Sequence, residues 1–151
     1  MSNDLLDYKA SVPSSTSGGI APIALPAAPA SIQLADLGIF IVPPVPSSNR
    51  IELKGTVGLQ ALTGNSNVVL RIFRLADGVS PGLEIFNKTL TAESAPAETF
   101  YTASFSTIDF NVSASTGFIV YNLTGEVTSA ETSASVIGPI AFTGLAIGNV
   151  T

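Results

Sequence analysis

The stretch IELKGTVGLQAL, residues 51–62, decides the fold class, because its apolar side chains recur at every second position. Ile51, Leu53 and Val57 share one face of an extended chain, whereas Glu52 and other polar residues share the opposite face. A period of two is typical of a strand with one buried face. The stretch therefore predicts a half-buried β-strand, and turn-forming residues follow it at once.

Further strand patterns, separated by turn clusters, continue to the end of the chain. The run VVLRIFRL, residues 68–75, is apolar on both parities, so we expect a strand covered on both faces. Asp77-Gly78 then indicates a turn and not a calcium site, because no second acidic residue stands close by. With no helical period and turns about every 8 to 12 residues, we predict an all-β fold, a jelly-roll sandwich of about eight antiparallel strands. The other runs are LEIFNKTL (83–90), TFYTASFSTIDFNV (99–112), FIVYNLTGEV (118–127) and SVIGPIAFTGLAIG (135–148).

The aromatic run among these changes parity within itself. Its apolar positions include Tyr101 and Phe105 on one parity, then Ile108 and Phe110 on the other. Because a shift of one residue moves a side chain to the opposite face of a sheet, the pattern predicts a bulge or a tight bend around Ser106.

Composition limits the possible functions. The 151 residues are enough for one domain with a tail, and 46% are apolar while only 11% are charged. The net charge of -5, with no Lys or Arg after Lys88, argues against nucleic acid and anionic lipid as partners. The chain has no Cys and no His, which removes disulfides, thiolate and imidazole metal ligands and the Ser-His and Cys-His nucleophile pairs. We therefore expect no enzymatic activity, no cofactor and no metal site.

Few charged side chains are candidates for a special role. A glycosidase needs two facing carboxylates, and nothing in the sequence pairs Asp109, Glu84 or Glu126, so we expect them on solvated strand surfaces. Arg71 and Arg74 lie in the strand that is apolar on both faces. Either one of them pairs with Asp109 or Glu84 near a subunit interface, or each extends its stem out to solvent.

The N-terminal third differs from the rest in composition. Residues 1–17 are polar and predict a flexible tail, residues 18–49 predict an apolar, proline-rich connector arm, and residues 50–151 predict the jelly-roll domain. The longest proline-free apolar part of the arm is shorter than the roughly 20 residues of a spanning helix, so we expect no membrane span. The acidic start lacks an apolar core, so we expect no signal peptide.

The end of the arm, GIFIVPPVP at residues 38–46, is the candidate interaction site. One interpretation is an intersubunit connector, in which the apolar run docks into a neighbouring copy and the prolines stiffen the exit. The other interpretation is an ordinary strand of the same subunit's sandwich, followed by a proline-rich loop. The partner-binding residues predicted by the first interpretation are Leu37, Gly38, Ile39, Phe40, Ile41, Val42, Pro43, Pro44, Val45 and Pro46.

The strand motifs carry a family resemblance. IELKGTVGLQAL, VVLRIFR with LEIFN, FYTASFSTIDF and GPIAFTGLAIG together resemble the C-terminal domain of exosporium and endospore appendage fibre proteins of spore-forming Firmicutes. The resemblance covers residues 50–151 and implies a head similar to the trimeric jelly rolls of the complement and tumour-necrosis-factor superfamily. Many members carry a collagen-like Gly-X-Y stalk, and this sequence has no such period.

The resemblance implies a structural function. We expect a homotrimeric head whose N-terminal connector docks into the next trimer, building a self-assembling fibre on the spore surface, made in the mother-cell cytoplasm. Its partners would be copies of itself, with other spore-surface proteins as anchor or tip. The alternative is a jelly-roll binding module at the spore surface, for adhesion or carbohydrate recognition, which would place aromatic side chains in exposed loops.

Overall fold

The computed structural model describes residues 3–94 and 99–149, and all the regular elements in these two ranges are β-strands. The long strands carry apolar residues at alternate positions, as strands with one buried face do. Because the described ranges contain no helix, they contain none that could span a membrane. The strands are β1 (Asp4–Ser14), β2 (Ile23–Ala24), β3 (Ile32–Phe40), β4 (Asn49–Thr63), β5 (Asn65–Ala76), β6 (Leu83–Glu93), β7 (Phe100–Phe110), β8 (Phe118–Val127) and β9 (Ser133–Gly148).

The strands form two antiparallel sheets. One sheet has the order β1-β9-β4-β7, with the short β2 also paired to β9, and the other has the order β3-β8-β5-β6. Apart from β2 and the β5–β6 hairpin, each strand is followed by a strand of the opposite sheet. This is the topology of an eight-stranded jelly roll, so the predicted all-β class and jelly-roll sandwich are confirmed.

The core lies between the sheets and is lined by the alternating positions that the sequence indicates. In β4, Ile51, Leu53 and Val57 are fully buried. Gly144 of β9 leaves the space that Leu37 and Ile39 of β3 occupy, because a Cβ there would lie 3.2 Å from the Cδ1 atom of each. A glycine in this strand therefore allows the opposite sheet to pack closely.

The predicted division of the chain at residue 50 is wrong. The supposed flexible tail, residues 1–17, contains β1, which pairs with β9 from Asp4↔Gly148 to Ser14↔Ile140. The supposed arm, residues 18–49, contains β2 and β3, so both segments belong to the same sandwich as β4 to β9. The charged and serine-rich composition of residues 1–17 concealed β1, although five of its eleven residues are apolar.

The predicted connector is also corrected. Residues 37–40 form the end of β3, which pairs with β8 of the same chain. Leu37, Ile39 and Ile41 are 3%, 0% and 1% exposed and pack in their own core. Buried side chains cannot also dock into a neighbour, so the second interpretation, a strand followed by a proline-rich loop, describes this segment.

The predicted bulge in β7 is absent, although the parity change that suggested it is real. β7 pairs with β4 in one continuous register, from Arg50↔Phe110 to Gln60↔Phe100. Phe105 and Asp109 therefore face the core, and Ile108 and Phe110 face outwards. The strand stays regular, and two large apolar side chains are left on its outer surface.

Side chains close both open sides of the sandwich. On one side, Asp7 of β1 accepts a hydrogen bond from the backbone N–H of Phe40 in β3, at 2.8 Å. On the other side, the ring of Phe105 in β7 covers Gly55 and stacks on Phe86 of β6, with 5.5 Å between ring centroids. An aromatic ring over a strand glycine supplies the packing that the glycine lacks.

Candidate functional site

The exposed part of the predicted connector forms one wall of an apolar groove. Residues 41–46 leave β3 and run past the start of β1, and between them lies a cavity of about 410 Å³. Val42 is 73% exposed at this site. The remaining lining comes from Leu5, Leu6 and Asn149, so none of the described lining residues carries a charge. We call this cavity the end groove.

Beside the end groove, the outer surface of the β1-β9-β4-β7 sheet carries two rows of side chains across all four strands. In the first row, Leu5 is paired with Ile147, Ile147 with Arg50, and Arg50 with Phe110. The second row is formed in the same way by Tyr8, Leu145, Glu52 and Ile108. We call the apolar members, Leu5, Tyr8, Ile108, Phe110, Leu145 and Ile147, the apolar face.

The apolar face is comparable in size to the largest apolar patch of a typical monomer, and such patches are often functional. Leu5, Tyr8, Ile108 and Phe110 are 66%, 55%, 44% and 62% exposed. At roughly 200 Å² for a large side chain, these four alone present about 450 Å² of apolar surface. The largest patch on a typical monomer is about 300 to 600 Å², and a stable interface buries about 800 Å² per partner. Four residues therefore supply about half of a standard interface.

The only charged side chains in the two rows neutralise each other. The Nε of Arg50 lies 3.3 Å from Oε1 of Glu52, and both residues are on β4. An ion pair within one copy leaves no net charge to repel an apolar partner. The pair lies on β4, between the apolar side chains of β9 and those of β7, so a partner that covers the whole face also covers the pair.

The outer surface of the opposite sheet is charged. Arg71 of β5 lies 2.5 Å from Glu84 of β6 and 2.6 Å from Glu126 of β8. The hydrogen bonds that Arg71 donates to these two carboxylates, Glu126 first, raise the pKa of Arg71. This network follows the sheet surface, which also carries the exposed pair of Phe40 and Phe118, so this outer face combines charged and apolar side chains.

A second ion pair joins the two sheets inside the sandwich. Nη1 of Arg74 in β5 donates to both carboxylate oxygens of Asp109 in β7, at 2.7 and 2.9 Å. Tyr121 of β8 donates its hydroxyl to Oδ2 of Asp109 at 2.8 Å, and burial raises the pKa of Tyr121. The predicted pairing of an arginine with Asp109 or Glu84 is thus found for both arginines, and the alternative in which both extend into solvent is wrong.

The acidic groups form structural contacts. Glu84 and Glu126 do approach each other, which the sequence did not indicate, but Arg71 lies between them and binds both. Within residues 3–94 and 99–149, no group of three or more Asp and Glu side chains is placed to hold a metal ion. What this part of the chain offers chemically is apolar and charged surface for binding.

The exposed residues that matter most were missed by sequence reasoning. Leu5 and Tyr8 fall in the segment predicted as a flexible tail, and Ile108 and Phe110 fall in the part of the run predicted to follow a bulge or a tight bend. The parity change in the β7 run was the available signal, because two large apolar residues out of phase with a buried set lie on the outer face unless the strand is broken.

Comparison with known proteins supports the fold. No protein-family model and no curated protein matches the chain. Among solved structures, T=1 particles derived from infectious bursal disease virus match with a TM-score of 0.58 at 12% identity, over 99% of this chain and 37% of theirs. The VP2 subviral particle of the same virus matches with a TM-score of 0.56 at 9% identity, over 99% of this chain and 39% of that one. This chain thus spans well under half the length of these viral proteins, and at this identity the likeness shows the jelly-roll fold alone.

A weaker likeness is to the Eiger TNF of S. frugiperda, with a TM-score of 0.44 at 10% identity, over 85% of this chain and 93% of that one. With a TM-score below 0.5, this likeness supports no conclusion about the chain.

Proposed function

We propose that this protein is a non-enzymatic structural subunit that associates with copies of itself through the apolar face. The observation that supports this proposal most directly is the exposure of four side chains on the outer surface of β1 and β7, namely Leu5, Tyr8, Ile108 and Phe110. Apolar surface of this extent is stabilised when a partner removes it from water. Viral particles contain the same fold, so a jelly roll is compatible with assembly from many copies.

The finer proposal is a homotrimer that acts as a unit of a fibre on a bacterial spore surface. It is supported by the resemblance of residues 50–151 to exosporium and endospore appendage proteins, and by a composition without Cys, in which packing replaces cross-links. The proposal no longer includes a free N-terminal connector, since β1 and β3 belong to the sandwich. Immunogold labelling of spores of the source organism tests the location, and label confined to the cell interior would contradict it.

The alternative, a binding module, depends on the end groove. Its volume of about 410 Å³ falls within the roughly 300 to 1,000 Å³ of small-ligand pockets. However, this alternative expects aromatic residues in exposed loops. Phe100, Phe110 and Phe118, the exposed aromatic residues in the second half of the described chain, all lie in strands. Their placement favours the structural role.

The self-association is tested by light scattering coupled to size-exclusion chromatography. Phe110→Asp and Ile108→Asp each place a charge in the apolar face, and we expect either change to shift the trimer to monomer. Leu83→Asp is the matched control, because Leu83 is similarly exposed but lies on the opposite sheet. A monomeric wild type, or equal effects of all three changes, would refute the proposal.

A further inference from the structure

The two edges of the apolar face differ in shape. At the β1 edge, Leu5 belongs both to the apolar face and to the wall of the end groove, so the two surfaces are continuous. At the β7 edge, Phe110 projects with more than half of its surface in solvent. The β1 edge therefore has the larger cavity, and at the β7 edge an exposed ring stands beside a smaller cavity of about 130 Å³.

We propose that the end groove of one copy receives Phe110, at the β7 edge, of a second copy. In this arrangement each copy gives its β7 edge to one neighbour and its groove to another, so the contact is heterologous. This inference rests on the proposed self-association and adds its geometry, namely which surface meets which.

The chemistry of the two surfaces matches. The groove is lined by aliphatic and proline side chains with one amide. Because none of the described lining residues is charged, an aromatic ring that enters the groove does not desolvate a charged group. The prolines lack N–H groups, so burying their nitrogens leaves no donor unsatisfied. The cavity of about 410 Å³ admits a phenylalanine side chain, which is an effective anchor when it fills a pocket.

A heterologous contact allows the assembly to grow beyond a dimer. In a two-fold arrangement the two copies fill each other's grooves, and the assembly stops at two copies. In a cyclic arrangement each copy gives one β7 edge and one groove, so every groove is filled. Such a contact closes into a ring, as in a trimer, or continues as a filament.

The absence of cysteine allows a test without background cross-links. Val42→Cys marks the groove, and Ile108→Cys marks the β7 edge while leaving Phe110 in place. The two single variants are purified separately, mixed, allowed to re-equilibrate, and treated with a short bis-maleimide linker. Leu83→Cys, on the opposite sheet, is the control.

We expect the cross-linked product to join Val42→Cys with Ile108→Cys, with little product from either variant alone. Products of each variant with itself would place Val42 or Ile108 against its own equivalent, which overturns this inference and leaves self-association intact. A mixed product in a sample that light scattering shows to be a dimer would indicate a two-fold contact and would also overturn it. Absence of cross-links in an oligomeric sample also overturns it, and a monomeric sample overturns the proposed function as well. If a small apolar dye binds the groove and no cross-link forms between copies, the groove is a binding site for a small ligand, and this inference is overturned.

A double-mutant cycle gives an independent measurement. Phe110→Ala and Val42→Ala each remove one side of the contact, and both residues are exposed, so folding is expected to be spared. We expect each change to weaken association about tenfold and the pair to weaken it by much less than a hundredfold, because the two residues share one contact. Full additivity would mean that Phe110 and Val42 do not meet.

Discussion

Asp109 shows at the scale of the single residue how a carboxylate can occupy a strand position that faces the core. Its carboxylate oxygens accept hydrogen bonds from Nη1 of Arg74, at 2.7 and 2.9 Å, and from the hydroxyl of Tyr121, at 2.8 Å. A buried charge is tolerated only when it is paired and hydrogen-bonded. The three groups lie on β7, β5 and β8, so they also hold the two sheets together.

Removing Asp109 is therefore expected to be costly. Asp109→Ala leaves the largely buried guanidinium of Arg74 without its partner, and we expect a loss of about 3 kcal/mol or more in the free energy of unfolding. Tyr121→Phe removes one hydrogen bond and should cost about 1 kcal/mol. Urea unfolding followed by circular dichroism measures both changes.

The control replaces the whole group. The triple change Arg74→Met, Asp109→Leu and Tyr121→Phe removes every member, and it should recover most of the stability lost in Asp109→Ala. If Asp109→Ala unfolds at the same urea concentration as the wild type, the network contributes nothing.

Asp77 holds two loops together. It follows β5 with a φ of 57°, in the left-handed region, where its turn was predicted. Its carboxylate accepts bonds from the Thr116 hydroxyl at 2.6 Å, the Thr116 N–H at 2.7 Å, and the hydroxyl and N–H of Ser115. These bonds, the Thr116 hydroxyl first, lower the pKa of Asp77 from 3.8 to about 2. The loop before β6 is thereby fastened to the loop before β8.

The acid dependence follows from the direction of this shift. Because the folded pKa lies below the unfolded one, the stabilisation is complete above about pH 4 and is lost as the pH falls towards 2. Asp77→Asn keeps a residue that tolerates positive φ but removes the charge. We expect its thermal midpoint to be below that of the wild type at pH 5 and to converge with it near pH 2. Asp36→Asn, at an exposed position of β3, is the control, and a constant difference for Asp77→Asn would contradict the assignment.

Among the elements, β1 departs most from expectation. It lies at the edge of its sheet, pairs with β9, and is joined to β3 by the bond from Asp7 to the backbone of Phe40. Its sequence, DLLDYKASVPS, mixes five apolar residues with charged and hydroxyl side chains, and Leu5, Tyr8 and Val12 are exposed. Such a mixture is compatible with a solvated tail as well as with an edge strand.

Deleting residues 1–17 tests whether β1 is structural. A tail could be removed without effect, whereas loss of β1 opens the edge of β9 and uncovers core that Leu6 packs against. We expect the deletion to lower the free energy of unfolding by roughly 3 kcal/mol or more, measured in urea. Deleting residues 1–3 alone is the control and should have little effect. Equal unfolding midpoints for the two deletions would restore the tail interpretation.

The two outer faces of the molecule differ in how their apolar side chains are arranged. The outer face of β3-β8-β5-β6 carries the network of Arg71, Glu84 and Glu126 and the exposed pair of Phe40 and Phe118, whereas the outer face of β1-β9-β4-β7 carries the apolar rows. A charged face stays hydrated at little cost, and an apolar face gains when it is covered. The expected difference between Phe110→Asp and Leu83→Asp follows from this arrangement.

Much of the fold was predictable, and less of the candidate site. Alternation in the β4 stretch predicted a half-buried strand, and the structure buries Ile51, Leu53 and Val57. The apolar run and the prolines of residues 37–46 are visible in the sequence, but the segment was predicted to dock into a neighbouring copy, and it packs in its own chain. Its first part fills the core, and its second part forms the wall of a groove. Local pattern shows that an apolar segment must be covered, but not by what.

The sequence by itself determined that this protein is a β-sandwich, and it determined which chemistry is missing, since strand periodicity and the lack of Cys and His are local properties. Only the tertiary structure decided that β1 and β3 complete the sandwich and that Ile108 and Phe110 face outwards. The physical reason is that alternation assigns residues to two opposite faces without saying which face is inside. In β7 the face that lies inside is decided by partners distant in sequence. The ring of Phe105 packs on Gly55 and Phe86, and Arg74 compensates the charge of Asp109.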